Sequence, residues 1–176
     1  MSTTSTKPTL HAKPGQQGID PRGPRFGAGI TAVLLLVTIA LALLLPAGDT
    51  VIARLTQPAF IIFALITLLF AWGAFAGVQR HPYGRLFKAV IRPRLGAPTD
   101  LEDPVPPTFA QGVGFVITLL GVVLHLVGVP FALPIAAGLA FIAAFLNSVF
   151  AYCLGCQIYL LLARAGILGR STTAAA

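Results

Sequence analysis

Charged residues are scarce in this sequence, and their scarcity excludes most classes of water-soluble protein. Only 10% of the 176 residues are Asp, Glu, Lys or Arg, whereas an ordinary soluble domain has roughly a quarter. Apolar residues make up 56% of the chain, which is more than a water-facing surface accommodates. The composition therefore excludes a soluble globular enzyme, a disordered protein and an ordinary nucleic-acid-binding domain. Two cysteines are too few for a disulfide-rich secreted scaffold.

Long runs without charge predict membrane-spanning helices. Residues 26–48, 55–79 and 104–163 contain no Asp, Glu, Lys or Arg, and a helix needs about 20 residues to cross the hydrocarbon core. The third run is long enough for two crossings, with a turn at Gly128 and Pro130. The polar–apolar alternation of outer-membrane barrel strands is absent, so helices are favoured.

We therefore predict an all-α integral membrane protein with four spans. Their expected positions are about 27–45, 57–78, 109–128 and 132–163. The last segment is longer than one crossing requires, so it tilts, breaks or extends beyond the membrane. The four-helix domain is expected over 19–165, between disordered tails at 1–18 and 166–176.

The basic residues predict the orientation of the spans. Eleven of the 12 lie in the N-terminal segment, the middle loop or the C-terminal tail, and Arg54 alone lies in an opposite loop. Cytoplasmic loops of membrane proteins carry the excess of Lys and Arg. We therefore expect a multi-pass plasma-membrane protein with both termini cytoplasmic, partnered by the lipid bilayer and not by nucleic acid.

The middle loop contains a predicted amphipathic helix at 82–92. At about 100° per residue, one side of this helix is apolar and the opposite side is basic. The apolar side carries Tyr83, Leu86, Phe87, Val90 and Ile91, and the basic side carries Arg85, Lys88 and Arg92. We expect the helix to lie on the cytoplasmic leaflet, with its three basic residues at the membrane surface. Docking of a cytoplasmic partner is the alternative role for this loop.

Two segments that precede predicted spans resemble each other at an offset of 83 residues. Both follow the pattern D-P-x-x-P-x-F-x-x-G. The first copy has Asp20, Pro21, Pro24, Phe26 and Gly29, and the second has Asp103, Pro104, Pro107, Phe109 and Gly112. Each reads as a helix start, since proline suits a first turn and aspartate suits the positive end of the dipole. We predict two parallel helical-hairpin repeats. A paired binding site at the pseudo-symmetry axis is one interpretation of the motif, and two similar helix caps left from a duplication are the simpler one.

Cys153 and Cys156 form the one pairing of reactive side chains in the chain. Residues three apart share a helix face, with Cα atoms about 5 Å apart. Three interpretations stay open: thiol–disulfide or persulfide exchange, a metal site completed from elsewhere, and two small side chains in a packed interface. A continuous helix argues against exchange, because thioredoxin-like sites place this spacing at a helix N-terminus. A break at Gly155 would reproduce that setting.

The remaining polar residues of the spans are expected to have structural roles. Asn147 falls on the opposite helix face from Cys156, so we expect it to hold helices together rather than share a site. His81 is the one residue placed to serve the cysteines as a base, although a solvent-facing interfacial position is the simpler interpretation. His125 is expected near the outer end of the third span. The sequence indicates no particular cofactor.

The segments that carry these features resemble the domain-of-unknown-function family 4395. They are the D-P-R-G-P-R-F opening at 20–26, the similar segment at 103–109, and F-A-Y-C-L-G-C-Q-I-Y at 150–159. The resemblance implies a small integral membrane protein of a type common in actinobacteria, from a family without an established activity. It also implies a thiol role for Cys153 and Cys156, with a cytoplasmic thioredoxin-like or sulfurtransferase protein as partner. The alternative is a non-catalytic membrane scaffold that docks a partner through 80–107.

Overall fold

The computed structural model of the chain describes residues 10–12 and 17–168, in which the chain is helical and contains no strand. The α-helices of these ranges are α1 (Arg22–Leu44), α2 (Val51–Leu55), α3 (Pro58–Ala76), α4 (Pro82–Leu86), α5 (Val105–Leu126), α6 (Ala132–Phe150) and α7 (Leu154–Arg164). Helices α1, α3, α5 and α6 are long and apolar enough to cross a membrane, which confirms the prediction of an all-α chain with four helices of spanning length. Most of the predicted disordered tails lies outside the described residues.

Helices α1 and α5 begin earlier than the predicted positions 27 and 109. Asp20 Oδ1 accepts a hydrogen bond from the backbone N–H of Arg22 at 3.0 Å, and Asp103 Oδ1 accepts one from Val105 at 2.9 Å. Each aspartate is followed by a proline, which has no backbone N–H and therefore leaves no unpaired donor at the helix start. The chain therefore turns into a helix before its apolar run begins.

The segment before α1 pairs with the segment before α5. Ile19 and Glu102 exchange two backbone hydrogen bonds, each 2.9 Å long, and the N–H of Ala12 bonds to the carbonyl of Leu101 at 3.0 Å. Ile19 and Glu102 are 83 residues apart, which is the offset of the repeated motif. Residues 10–12 are thus hydrogen-bonded to the linker.

The four long helices pack as a bundle in which α1 and α5 occupy opposite corners. Each of these two helices packs against both α3 and α6. Leu35, Phe63 and Leu133 fill the core and are at most 1% exposed. Helix α6 contributes mostly alanines to this core, and such small side chains allow helices to approach closely in a membrane.

The predicted last span, 132–163, is two helices rather than one. Helix α6 ends before Ala151, which adopts a left-handed conformation with φ 58°. The N–H of Tyr152 bonds to the carbonyl of Leu146 at 3.1 Å, the hydrogen-bond pattern that ends a helix at a left-handed residue. Helix α7 follows and packs mainly against α5. The excess length of the predicted span is therefore resolved by a break.

The predicted amphipathic helix at 82–92 is a series of short helical turns. Helix α4 continues as a π-helical turn at Phe87–Ile91 and a 3-10 turn at Arg92–Arg94. Phe87 is 3% exposed and packs against Gly23 of α1, so part of the apolar side is buried in protein. The exposed residues of 82–92 are Arg85, Leu86, Lys88, Ala89, Val90 and Arg92.

The bundle has two ends that differ in what they carry. The linker end holds the 77–104 linker, the break at 151–153 and the starts of α1 and α5. The hairpin end holds the connections at 45–57 and 127–131. Both cysteines are at the linker end, next to the break.

Candidate functional site

The break between α6 and α7 places the two cysteines at a helix N-terminus. Cys153 is the N-cap residue of α7, and its Sγ accepts a hydrogen bond from the backbone N–H of Cys156 at 3.3 Å. The two sulfurs are joined by a disulfide, with the Cα atoms 5.2 Å apart. The helix breaks at Ala151 rather than at Gly155, and this break leaves the C-x-x-C spacing on the first turn of a new helix.

This position changes the electrostatics that a continuous helix implied. The free N–H groups of a first turn and the helix dipole favour an anion at an N-terminus. In an unbroken span the cysteines would lie toward the carboxyl end, where a thiolate is disfavoured. After reduction of the disulfide, the N-cap sulfur of Cys153 therefore occupies a place that suits a thiolate.

The two sulfurs differ in how far solvent reaches them. Cys156 is 3% exposed, whereas Cys153 is partly exposed. A thiol that approaches from outside the protein therefore meets Cys153 first. Cys156 is the shielded sulfur of the pair.

Gly155 allows the cysteine turn to lie directly on α5. A Cβ at this position would lie 2.5 Å from Ala110 Cβ and 2.6 Å from Ala110 Cα. Further along α7, the Tyr159 ring packs against Phe109 with their centroids 5.6 Å apart. The position of the disulfide is thus set by close backbone packing between two helices rather than by a flexible loop.

A cavity of about 810 Å³ adjoins the disulfide at the linker end of the bundle. Both cysteines line it, together with His81 and Tyr83 from the linker. Ile66 and Ala140, from the middle of two spans, line its deeper part. The cavity therefore connects the disulfide with the interior of the bundle.

His81 is buried, and the expectation of a solvent-facing histidine was wrong. Its side chain is 7% exposed, with Nε2 3.1 Å from the carbonyl oxygen of Leu69. Its Nδ1 accepts a hydrogen bond from the backbone N–H of Tyr83 at 3.3 Å. These contacts suit a neutral ring with its proton on Nε2. Burial lowers the pKa of His81 below its ordinary value of 6.5.

The other two polar residues that the sequence singled out lie at opposite ends of the bundle. Asn147 lines the same cavity as both cysteines, so the expectation that it shares no site with Cys156 was wrong. The helical-wheel argument failed because α6 and α7 are separate helices. His125 is at the hairpin end, where its ring stacks on Phe60 with centroids 5.4 Å apart.

His81 and Cys153 hold corresponding places in the chain. Each is the N-cap of a helix that follows two long helices, and each accepts a first-turn hydrogen bond through its side chain. Six residues after each of them, an aromatic ring packs against the phenylalanine of the repeated motif. Phe87 meets Phe26 at 5.9 Å and Tyr159 meets Phe109 at 5.6 Å. The common spacing is visible in the sequence, but it acquires meaning only once α7 is known to be a separate helix.

Metal ligation receives no support from the described residues. No group of three or more His, Cys, Asp or Glu side chains is arranged there to hold a metal ion. Two sulfurs alone leave a tetrahedral site incomplete. The chemistry that the described site can perform by itself is therefore that of a cysteine pair.

Comparison with known proteins places the chain in a family. A family model described as a domain of unknown function, DUF4395, matches residues 19–164. The chain belongs to this family. The match confirms the DUF4395 family that the sequence resemblance predicted. Neither a curated protein nor a solved structure matches the chain. The DUF4395 description names no activity, so the function has to be argued from the site.

Proposed function

We propose that this membrane protein exchanges disulfides with cytoplasmic thiols through Cys153 and Cys156. The observation that carries the proposal is the helix start at Cys153, where the N-cap sulfur is accessible and its partner sulfur is shielded. Exchange requires an accessible sulfur and a stabilised thiolate. A cysteine pair that served only as packing would need neither feature.

The exchange proceeds through a mixed disulfide at the accessible sulfur. A thiolate of the partner attacks Cys153 Sγ, the bond to Cys156 breaks, and Cys156 leaves as a thiolate that takes up a proton. A second partner thiolate then attacks the partner's own sulfur in the mixed disulfide. Cys153 leaves as a thiolate, which the start of α7 favours. The partner's dithiol has become a disulfide, and the Cys153–Cys156 disulfide has become a dithiol.

The exposed charges around the cavity support a protein partner with an acidic contact surface. Arg25, Lys88 and Arg92 line the cavity at its linker end and are exposed, whereas the acidic lining residues Asp20 and Glu102 are partly buried. A thioredoxin-like or sulfurtransferase protein of the cytoplasm is the partner we propose. A sulfurtransferase would carry an attacking persulfide, so its mixed species would contain one additional sulfur atom.

We propose that the protein lies in the plasma membrane with its linker end and both termini in the cytoplasm. Eleven of the 12 basic residues belong to the termini and the middle loop, in agreement with the positive-inside rule. The exposed residues Leu86, Lys88 and Val90 support contact of the 82–92 segment with the inner leaflet. The cysteine pair then faces a reducing compartment, where a disulfide is a working rather than a structural bond.

We also propose that the domain consists of two parallel hairpin repeats around a twofold axis. The symmetric pairing of Ile19 with Glu102 and the matching caps at Asp20 and Asp103 support this arrangement. Within this arrangement α4 with its continuation corresponds to α7. The second repeat then has Cys153 at the position that His81 occupies in the first repeat, and this difference gives the second repeat its thiol chemistry.

Trapping of the mixed disulfide tests the proposed exchange. The Cys156→Ser variant leaves the accessible sulfur without its resolving partner, so in membranes it should accumulate a covalent adduct with a cytoplasmic thiol protein. The matched Cys153→Ser variant keeps only the Cys156 sulfur, and Cys156 is 3% exposed. Its adduct and its maleimide labelling should reach at most about one tenth of those of Cys156→Ser. Mass spectrometry of the adduct distinguishes a disulfide from a persulfide product by the additional sulfur.

The opposite results would remove the proposal. Equal labelling of both single variants would contradict the difference in access, and the absence of any reductant-dependent labelling in the native protein would contradict exchange. A double Cys→Ser variant that keeps all cellular functions of the protein would favour the scaffold that binds a partner through 80–107.

A further inference from the structure

We propose that the cavity beside the disulfide binds a membrane quinone, which takes up the two electrons that the cysteine pair collects. This inference rests on the proposed thiol exchange. It adds an electron acceptor to that function, because a pair that oxidises cytoplasmic thiols must itself be reoxidised. The size of the cavity, its lining and its contact with both cysteines support a quinone as the acceptor.

The cavity has the size and the lining of a small-molecule site. Its volume of about 810 Å³ lies within the range of roughly 300–1,000 Å³ that is usual for ligand pockets. Apolar side chains from the spans line most of its depth, among them Ile66, Phe70, Ile117 and Ala140. A ligand with a planar apolar ring fits such a lining better than a hydrophilic thiol does.

The charged side chains of the lining are confined to the linker end. They are Asp20, Arg25, Lys88, Arg92 and Glu102. None of the described lining residues from the middle of α3, α5 or α6 is charged. A charged ligand would lose its hydration in this depth without a counter-ion, so the depth favours a neutral ligand.

The cavity also reaches the lipid-facing flank of α6. Leu139 and Ile142 line it and are 55% and 53% exposed, whereas Ala140 and Ala144 also line it and are 4% and 9% exposed. Leu139 and Ile142 therefore belong both to the cavity lining and to the exposed surface of α6. A quinone dissolved in the bilayer would enter at this flank, without passing through water.

Polar side chains also line the cavity. Gln111 and Asn147 carry amide groups and Tyr83 carries a hydroxyl, and all three residues line the same cavity as the cysteines. Amide and hydroxyl donors suit the two carbonyl oxygens of a quinone ring. A few polar groups in an otherwise apolar pocket are the usual means of orienting such a ligand.

The redox step balances without any further reactant. The two thiols of the reduced pair form the Cys153–Cys156 bond and give up two electrons and two protons. The quinone takes up both electrons and both protons and becomes a quinol, which would leave at the flank of α6 formed by Leu139 and Ile142. Cytoplasmic thiols then reduce the disulfide again by the exchange proposed above.

Anaerobic mixing of the reduced full-length protein in nanodiscs with decylubiquinone tests the inference. We expect quinone absorbance to fall as thiols are lost, with one quinone consumed for each cysteine pair. Ala143→Phe, which narrows the cavity, should slow this reaction about tenfold or more. Ala40→Phe places the same ring on the exposed side of α1 and should leave the rate unchanged. Loss of the rate in both variants to the same extent would contradict a site in the cavity.

Two further measurements separate this inference from the proposed thiol exchange. Ala143→Phe should still react with a water-soluble disulfide at the native rate, because Cys153 keeps its access from the linker end. The double Cys→Ser variant should still be labelled in α6 by an azidoquinone, with protection by excess decylubiquinone, because the cavity does not require sulfur.

The outcomes point in different directions for the two proposals. Exchange with soluble disulfides but no quinone reduction and no protected labelling would overturn the quinone site and leave thiol exchange standing. Protected labelling with unreactive thiols would overturn thiol exchange and, with it, the electron transfer. Labelling that excess quinone does not reduce would show adventitious partitioning and would overturn the site.

Discussion

Helix α4, which follows His81, and helix α7, which follows Cys153, occupy corresponding positions. The two differ in whether the glycine at the contact lies on the span or on the helix that follows it. In the first half of the chain the glycine at this contact is Gly27 of α1, where an added Cβ would lie 3.3 Å from Tyr83 Cβ. In the second half the glycine is on the following helix, where Gly155 lies against Ala110. Because the glycine of the second half lies on α7 rather than on the span, the backbone of α7 approaches α5 directly. The backbone of the cysteine turn therefore contacts its span directly, whereas the histidine turn contacts its span through the Tyr83 side chain.

The largest effect that this comparison predicts is at Gly155. Gly155→Ala forces a methyl group onto the α5 backbone, and we expect it to lower the free energy of unfolding by about 3 kcal/mol. Unfolding in sodium dodecyl sulfate, followed by circular dichroism, measures the change. Gly138→Ala is the control, since a Cβ there meets no atom within 4 Å. Equal effects of the two substitutions would show that α7 does not depend on contact with α5.

The residues at the ends of the two hairpins should respond in opposite directions. Gly77 has φ 83° and ψ 149°, a region open essentially to glycine alone, so Gly77→Ala should destabilise the protein by about 2 kcal/mol. Ala151 has φ 58°, which costs an alanine about 1 kcal/mol, so Ala151→Gly should stabilise by up to that amount. The same unfolding assay tests both. Destabilisation by Ala151→Gly would contradict the break between α6 and α7.

The helix start at His81 should make the free energy of unfolding depend on pH, whereas the same helix start with Asn at position 81 should not. Burial lowers the pKa of His81 in the folded protein below the 6.5 of the unfolded chain. Between these two values only the unfolded state binds the proton. The contribution of His81 is therefore complete above pH 6.5 and is lost as the pH falls from 6.5 to the folded value.

His81→Asn isolates this dependence. The Asn side chain still provides an N-cap acceptor but does not titrate, so the fall in stability below pH 6.5 should become shallower. His81→Ala removes the cap as well and should cost about 1 kcal/mol at neutral pH. An unchanged pH profile in His81→Asn would assign the titration to another group.

The smallest predicted difference is between the two motif aspartates. Asp20→Ala and Asp103→Ala each remove the acceptor for the first backbone N–H of a helix, a hydrogen bond worth about 1 kcal/mol. Asp20 also pairs with Arg22 at 2.8 Å, and hydrogen bonding to that guanidinium lowers the pKa of Asp20. Asp20→Ala should therefore be worse by a few tenths of a kcal/mol, and the excess should disappear in 1 M salt. A larger effect at Asp103 would contradict equivalent caps.

Several parts of the fold could be predicted from sequence because each depends on local composition. Four apolar helices follow from charge-free runs long enough to cross a bilayer. The caps of α1 and α5 follow from an aspartate that precedes a proline. The lengths of those helices were underestimated, because apolar runs mark lipid contact while Asp20 and Asp103 extend the helices beyond it.

The candidate site could be predicted only in part. The pair Cys153 and Cys156 was identified from its spacing, but its surroundings depended on a break that hydropathy does not reveal. Residues 151–153 are as apolar as the residues around them and carry no proline or glycine. The burial of His81 likewise depends on a carbonyl of α3, which is distant in the sequence.

The sequence by itself determined that the chain is helical, with four helices long and apolar enough to cross a membrane, because backbone groups in hydrocarbon must be satisfied within each helix. Tertiary packing decided where the cysteines stand. Close contact between Gly155 and Ala110 holds α7 on α5 rather than in line with α6, and the cysteine pair thereby becomes a helix start beside a cavity. Composition cannot encode that choice, since a straight helix and a broken one bury similar apolar residues.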